Sequence, residues 1–285
     1  MLYPSTRLEI RPVYSVTLEG AKQTIMEKHC IHRLLPGQVK QAHRRLFNPS
    51  DPAALRCFAV LDGTANGKIL SNHMDNPTWA VVQEGAYGSL YLGGEVQHQV
   101  LRLLMGRLRH CGDVLVGLWQ EDPRWSLMPS GADYSGTTLE FSERKDHSSL
   151  PEILEGCELH RLDRSLLNRI ASQQWLISTY GSVEQALELG YGLCLIRQGE
   201  LLCEAFAGPK ASGVVEIGVE CHPQHYRKGY ATLTCSHLIQ AMEQQGYTTY
   251  WNCARENQAS IALAGKLGYQ KVKEYPLKAW YRWVN

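Results

Sequence analysis

The segment Glu216-Ile-Gly-Val-Glu-Cys-His-Pro-Gln-His-Tyr-Arg-Lys-Gly-Tyr-Ala-Thr232 constrains the fold more than any other. An apolar strand pattern at 214–221 runs into a short polar loop, and the loop opens an apolar-periodic helix over 229–245. The first turn of a helix has free N–H groups and the positive end of the helix dipole, so such a junction suits a pyrophosphate. Gly229 lets the backbone approach a ligand closely, and Ala231 keeps the first turn uncrowded. Arg227 and Lys228 add positive charge beside the phosphates, and the residues 226–231, with Thr232 behind them, form the cradle.

A second strand–loop–helix follows in Trp251-Asn-Cys-Ala-Arg-Glu-Asn-Gln-Ala-Ser-Ile-Ala-Leu-Ala-Gly-Lys-Leu-Gly-Tyr269. Asn257 suits the cap of a helix over 257–267 and can offer an amide to a ligand beside it, with Ser260 one turn further on. Around these two segments the pattern predicts strands at 158–162, 192–197, 201–207, 214–221, 248–253 and 270–275. It predicts helices at 165–175, from Ser182 with Gln185 as a capping box to Gly190, and at 229–245 and 257–267. That order, β-α-α-β-β-β-α-β-α-β, is a mixed α/β sheet.

These two segments resemble the GNAT acetyltransferase superfamily, whose pyrophosphate loop reads Gln/Arg-x-x-Gly-x-Gly/Ala. Here the loop is Tyr226-Arg-Lys-Gly229-Tyr-Ala231, and the second segment is similar to the family's Asn-x-x-Ser/Ala … Lys-Leu-Gly-Phe/Tyr block. The resemblance covers 157–285. It implies a GNAT-like N-acyltransferase fold, acetyl-CoA as co-substrate, and direct transfer to a primary amine, with a small molecule as acceptor. It implies that pantetheine lies between the strands at 214–221 and 248–253, bonded near Val219 and Cys221. Residues Tyr226, Arg227, Lys228, Gly229, Tyr230, Ala231, Thr232, Asn257 and Ser260 then complete the CoA site. An amine is protonated at neutral pH, so a base must take its proton. Glu216 and Glu220 share one face of their strand, and Glu216 resembles the glutamate that some members use; Glu220 competes with it. The loop departs from the family at Tyr226, and the last helix has Ala264 where a tyrosine acid is frequent, so no general acid is assigned. Both departures keep open a rival reading, a non-catalytic acyl-CoA-binding sensor or regulatory module.

The first half is less legible. Residues 57–61 read as a strand, with Asp62, Gly63, Asn66 and Gly67 as its turn; 78–83, 87–92 and 113–119 read as strands and 96–109 as a helix. The stretches Asp75-Asn-Pro-Thr-Trp-Ala-Val-Val82 and Tyr91-Leu-Gly-Gly94 resemble the accessory region of a two-part GNAT branch, a smaller α/β domain that reads as a degenerate half without a phosphate loop. A polar, Pro- and Gly-containing stretch places a linker at 146–156, between an accessory domain at 1–145 and the transferase domain at 157–285.

Composition excludes several classes. With 29 basic against 28 acidic residues the formal charge is +1, which gives no global signal for nucleic acid or an anionic membrane. No stretch reaches the ~18 apolar residues of a membrane span, and Arg7, Glu9 and Arg11 interrupt any secretory signal, so the expected compartment is the cytoplasm. Nine cysteines without a C-x-x-C spacing read as reduced core residues. His29-Cys-Ile-His32 and His222-Pro-Gln-His225 meet no complementary pair at zinc spacing, so no metal is expected. The sequence leaves a homodimer open. Each sharp reading has a plain counterpart: Glu216 and Glu220 as solvated strand positions, Asn257 as a cap alone, Cys221 and Cys253 as small buried residues.

Overall fold

A computed structural model describes residues 31–145 and 150–282. The N-terminal segment and His29-Cys-Ile-His32 motif discussed above therefore lie wholly or partly outside the described residues. The elements run β1 (His32–Leu34), α1 (Gln41–Arg44), α2 (Ala54–Asp62), β2 (Gly67–Ser71), β3 (Trp79–Glu84), β4 (Leu90–Gly94), α3 (His98–Cys111), β5 (Val114–Gly117) and β6 (Tyr134–Ser142). They continue as β7 (Cys157–Arg161), α4 (Arg164–Leu167), α5 (Gln173–Tyr180), α6 (Val183–Glu188), β8 (Tyr191–Arg197), β9 (Glu200–Ala211), β10 (Val214–Cys221), α7 (Tyr230–Gln244), β11 (Thr248–Ala254), α8 (Gln258–Lys266) and β12 (Gln270–Trp280). The fold is mixed α/β, as the pattern predicts.

Two sheets carry it. One is antiparallel, ordered β1-β2-β3-β4; the other has eight strands ordered β5-β12-β6-β11-β10-β9-β8-β7. The polar stretch at 146–156 thus joins β6 to β7, two strands of the same sheet. β6 belongs to the first half of the chain but lies between β11 and β12, antiparallel to both, with Phe141 opposite Trp251 and Thr138 opposite Tyr275. The last strand reciprocates: β12 pairs with β5, and Trp280 enters the apolar core that α3 forms with β3, β4 and β5.

Three expectations are corrected. Residues 57–61 are not a strand but the body of α2, which ends at Gly63 in the left-handed conformation of a helix C-cap. Its apolar run is buried nearly all round (Cys57, Ala59, Val60, Leu61), and such a run carries no period that separates helix from strand. The single helix expected over 165–175 is two. Asp163 caps α4, and the buried Glu204 carboxylate accepts from Ala171 N, Ser172 N and Ser172 Oγ, so the chain restarts as α5. Thirdly, the cysteines are not all reduced. Cys203 and Cys221 are register partners on β9 and β10, with Cα atoms 4.2 Å apart, and they form a disulfide. Direct cross-strand opposition brings Cβ atoms together whatever the sequence spacing.

Helix α2 packs on both sheets. It contacts β2 and β3 on one side and β9 and β10 on the other, so it forms the seam between the two halves. Among the described residues no helix is long and apolar enough to cross a membrane.

Candidate functional site

Strands β10 and β11 are parallel neighbours for only three residue pairs, ending with Glu216 opposite Tyr250. Beyond that pair β10 stays with β9 as far as Cys221, while β11 stays with β6 as far as Ala254. The two strands separate, and a gap opens between them. A register irregularity in the β9–β10 pairing between Val215 and Ile217 sits where the gap begins. Such irregularities bend a strand. On one side of β10, Val215 and Ile217 pack under α7, with Val219 and Cys221 against Tyr230 and Leu233. Glu216, Gly218 and Glu220 take the opposite face.

The gap leads to the start of α7. His222 enters a short 3-10 turn over Pro223–His225, and the chain then reverses through Arg227 (φ 62°) and Gly229 (φ 83°), both left-handed. No side chain among the described residues caps α7, so its first N–H groups have no capping partner there. A Cβ built on Gly229 would meet nothing within 4 Å, which places the glycine beside open space. The loop is braced from below: buried His225 contacts Glu200 Oε1 through Nε2 at 2.9 Å, and Lys228 Nζ lies 3.4 Å from His225 Nδ1. Tyr226, Arg227, Lys228 and Gly229 are exposed, Ala231 and Thr232 half-buried, and Tyr230 is packed in the core.

The second segment is more structural. Asn257 Oδ1 accepts from Ser260 N and caps α8. Ser260 is 8% exposed, and its Oγ accepts from Trp251 Nε1 at 3.0 Å. Ser260 therefore anchors the indole in the core. Cys221 offers no free thiol, being bonded to Cys203.

The two acidic candidates are in different surroundings. Both oxygens of Glu216 are held by Arg56 of α2, with Nε to Oε2 at 2.8 Å and a second guanidinium nitrogen to Oε1 at 2.6 Å, in a fully buried pair. Burial opposes the charge on Arg56, but Glu216, with Glu84 and Tyr87 beside it, holds the guanidinium above its ordinary pKa. Arg56 also lies 4.0 Å from Glu84 and 4.9 Å above the Tyr87 ring. Glu220 is half-buried and directly opposite Glu204 on β9. Desolvation and this like charge push the Glu220 pKa up from the usual carboxylate range, and burial does the same to Glu204.

Sequence reasoning missed Arg56, whose signal was a lone arginine in the apolar run 53–61, and missed the polar wall around it. A small cavity opens at the seam, bounded by Arg56, Tyr91, Thr138, Asn252, Tyr87 and Tyr275 among others. Among the described residues no group of three or more His, Cys, Asp or Glu side chains is placed to hold a metal.

The comparisons with known proteins agree with this geometry. A GCN5-related N-acetyltransferase-like protein from Streptococcus suis 89/1591 superposes with a TM-score of 0.66, at 22% identity, over 87% of this chain and 100% of its own. A tandem GNAT protein from the clavulanic acid biosynthesis pathway superposes at 0.55, with 11% identity, over 90% of this chain and 99% of its own. At these identities the likeness shows the fold, including its two-part arrangement. The uncharacterized N-acetyltransferase YdfB of Bacillus subtilis (strain 168) is 23% identical over 128 residues, 44% of this chain; the match spans about half of that relative's length, 49%. The profile of the GNAT acetyltransferase family matches residues 44–277, which takes in α2, the crossing strand β6 and the whole β10–α7 junction. The chain belongs to the GNAT acetyltransferase family.

Proposed function

We propose that this chain is an acyl-CoA-dependent N-acyltransferase that moves an acetyl group from acetyl-CoA to a primary amine on a small molecule in the cytoplasm. The observation that carries the reading is the β10–β11 gap running into an uncapped helix start. Pantetheine enters the gap along the edge of β10 near Val219 and Cys221. The pyrophosphate rests on the N–H groups of Gly229, Tyr230, Ala231 and Thr232, where Arg227 and Lys228 supply positive charge in place of the usual first loop residue. Tyr226 flanks the loop, and the amide of Asn257 remains to donate after its oxygen caps α8.

Glu220 is the base in this reading. Both oxygens of Glu216 are taken up by the Arg56 fork, so Glu216 serves to position Arg56 and close the seam. Glu220 carries no such partner, and burial with the like charge of Glu204 raises its pKa, which makes it a stronger proton acceptor than an ordinary carboxylate. The ammonium proton passes to Glu220. The freed amine attacks the acyl carbon, the C–S bond breaks, and CoA leaves as thiolate while the second nitrogen proton goes to solvent. The balanced net charge gives no support to nucleic acid or a highly charged protein tail as acceptor.

Isothermal titration with acetyl-CoA, with CoA as comparison, tests the cofactor site. Micromolar binding is expected for both, and release of free thiol in the presence of an amine completes the assignment. Absence of binding in a folded sample would overturn it. The Arg56–Glu216 pair favours one second reading, a module that binds acyl-CoA without turnover; binding without thiol release against any amine would select it.

A further inference from the structure

Past Glu216, β10 keeps a strand neighbour on one side. Strand β11 parts from it there, and among the described residues β9 alone pairs with 217–221. The last register pair on that edge is Cys221 with Cys203, and a disulfide closes it. One residue later the chain enters the loop that leads to α7. The same two cysteines lie in one apolar cluster with Tyr230 and Leu233, from the first turns of α7. The bond therefore braces both ends of the loop: it pins the strand that enters and packs under the helix that leaves. Among the described residues it is the only disulfide, and five of the six free cysteines are buried, so a change of redox state acts at this one place.

The two sulfurs differ in access. Cys203 is 1% exposed, while Cys221 is half-buried beside the exposed His222. An entering thiolate meets Cys221, and Cys203 is the leaving group. In the cytoplasm proposed above, thiol pools keep structural disulfides rare, and a disulfide found there is typically redox-sensing or catalytic. Neither sulfur has a part in the acyl transfer. We propose that Cys203 and Cys221 are a redox-active pair that exchanges with a glutathione-type thiol, and that the bonded form is the one that binds acyl-CoA tightly. A glutathione thiolate attacks Cys221 Sγ, the Cys203–Cys221 bond breaks, and Cys203 leaves as a thiolate that takes a proton. A second glutathione thiolate attacks the glutathione sulfur of the mixed disulfide, which frees Cys221 and releases glutathione disulfide. Two thiols are oxidised as the protein disulfide is reduced, and the reverse sequence restores the bond. Without the bond the end of β10 keeps its pairing with β9 alone, so the loop is ordered at the moment of binding, and that ordering weakens affinity. The proposal rests on the acyltransfer reading above and adds the regulation of its cofactor site.

The test equilibrates the full chain in buffers of reduced and oxidised glutathione, then quenches, alkylates and maps peptides by mass. The peptides carrying Cys203 and Cys221 should be linked in oxidising buffer and separately alkylated in reducing buffer. Titration with acetyl-CoA in the same buffers should give a Kd about fivefold or more higher for the reduced protein. Cys203→Ala and Cys221→Ser should each show the Kd of the reduced parent in every buffer. The comparison of the two forms of the parent stands by itself if a variant does not fold. The proposal fails if no linked peptide forms in any buffer, or if the reduced parent binds acetyl-CoA as tightly as the oxidised parent or more tightly. If acetyl-CoA binds neither form, the transferase reading fails instead. Amide hydrogen exchange over 222–233 then decides the brace: slower exchange in the oxidised form supports it, and equal exchange overturns it.

Discussion

Glu216 and Glu220 sit four residues apart on one strand face, yet substitution should affect them in opposite ways. Glu216→Gln removes the charge that balances buried Arg56, and leaving one member of a buried pair uncompensated costs about 3 kcal/mol. Urea denaturation should show that loss, and the double variant Arg56→Met/Glu216→Leu should recover much of it. Glu220→Gln should leave stability nearly unchanged but lower kcat by about a hundredfold or more. The sign of the pH effect follows from its surroundings. Burial and Glu204 raise the Glu220 pKa, so the carboxylate protonates earlier as pH falls. The acidic limb of kcat/KM should therefore lie above the ~4.3 of an ordinary glutamate, with activity rising through it, and should vanish in Glu220→Gln. At this scale the sequence displayed Gly229 and both glutamates, because their chemistry is local. It concealed Arg56, because a partner 160 residues away leaves no mark on the spacing of either residue.

The elements around the site were legible in proportion to how locally they are held. The strand–loop–helix over 214–244 follows from period, loop polarity and Gly229, and Ser182 was readable as a cap because its Oγ accepts from Gln185 N three residues on. Ser182→Ala should cost about 1 kcal/mol in thermal or urea unfolding. Strand β6 was missed. Its residues, Tyr134-Ser-Gly-Thr-Thr-Leu-Glu-Phe-Ser142, are polar and carry a glycine, and strands on both sides make it a strand rather than any propensity of its own. Helix α2 was misread for the converse reason, since the unbroken apolar run 57–61 fits a buried strand as well as a helix. The loop yields a further expectation. Space around the Gly229 Cβ is open, so Gly229→Asp acts through its left-handed backbone and its charge rather than through bulk. It should abolish acetyl-CoA binding in calorimetry, while Gly229→Ala should weaken it less.

At the scale of the whole molecule, a division by chain position does not coincide with the division by sheet. Residues 157–285 expressed alone would lack β6 from the interior of the eight-stranded sheet, β5 from its edge and Arg56 from the seam. Circular dichroism and gel filtration of that fragment should show loss of cooperative unfolding and association through the exposed edges of β11 and β12. A fragment that instead melts cooperatively as a monomer would show that the first half is dispensable for folding. The stretch at 146–156 reads as a linker from its composition, yet it joins two strands of one sheet; the exchange of strands across it was not legible, because pairings over such distances leave no periodic trace.

The placement of β6 also sets a timetable. On the ribosome it emerges long before the strands that flank it, since Trp251, the partner of Phe141, follows about 110 residues later. At ordinary synthesis rates the strand waits on the order of ten seconds with both its edges open. Until then the nascent first half cannot complete itself and must be kept from pairing with its neighbours on the polysome. The yield of this protein should therefore depend on translation speed and chaperone supply more steeply than its final stability suggests.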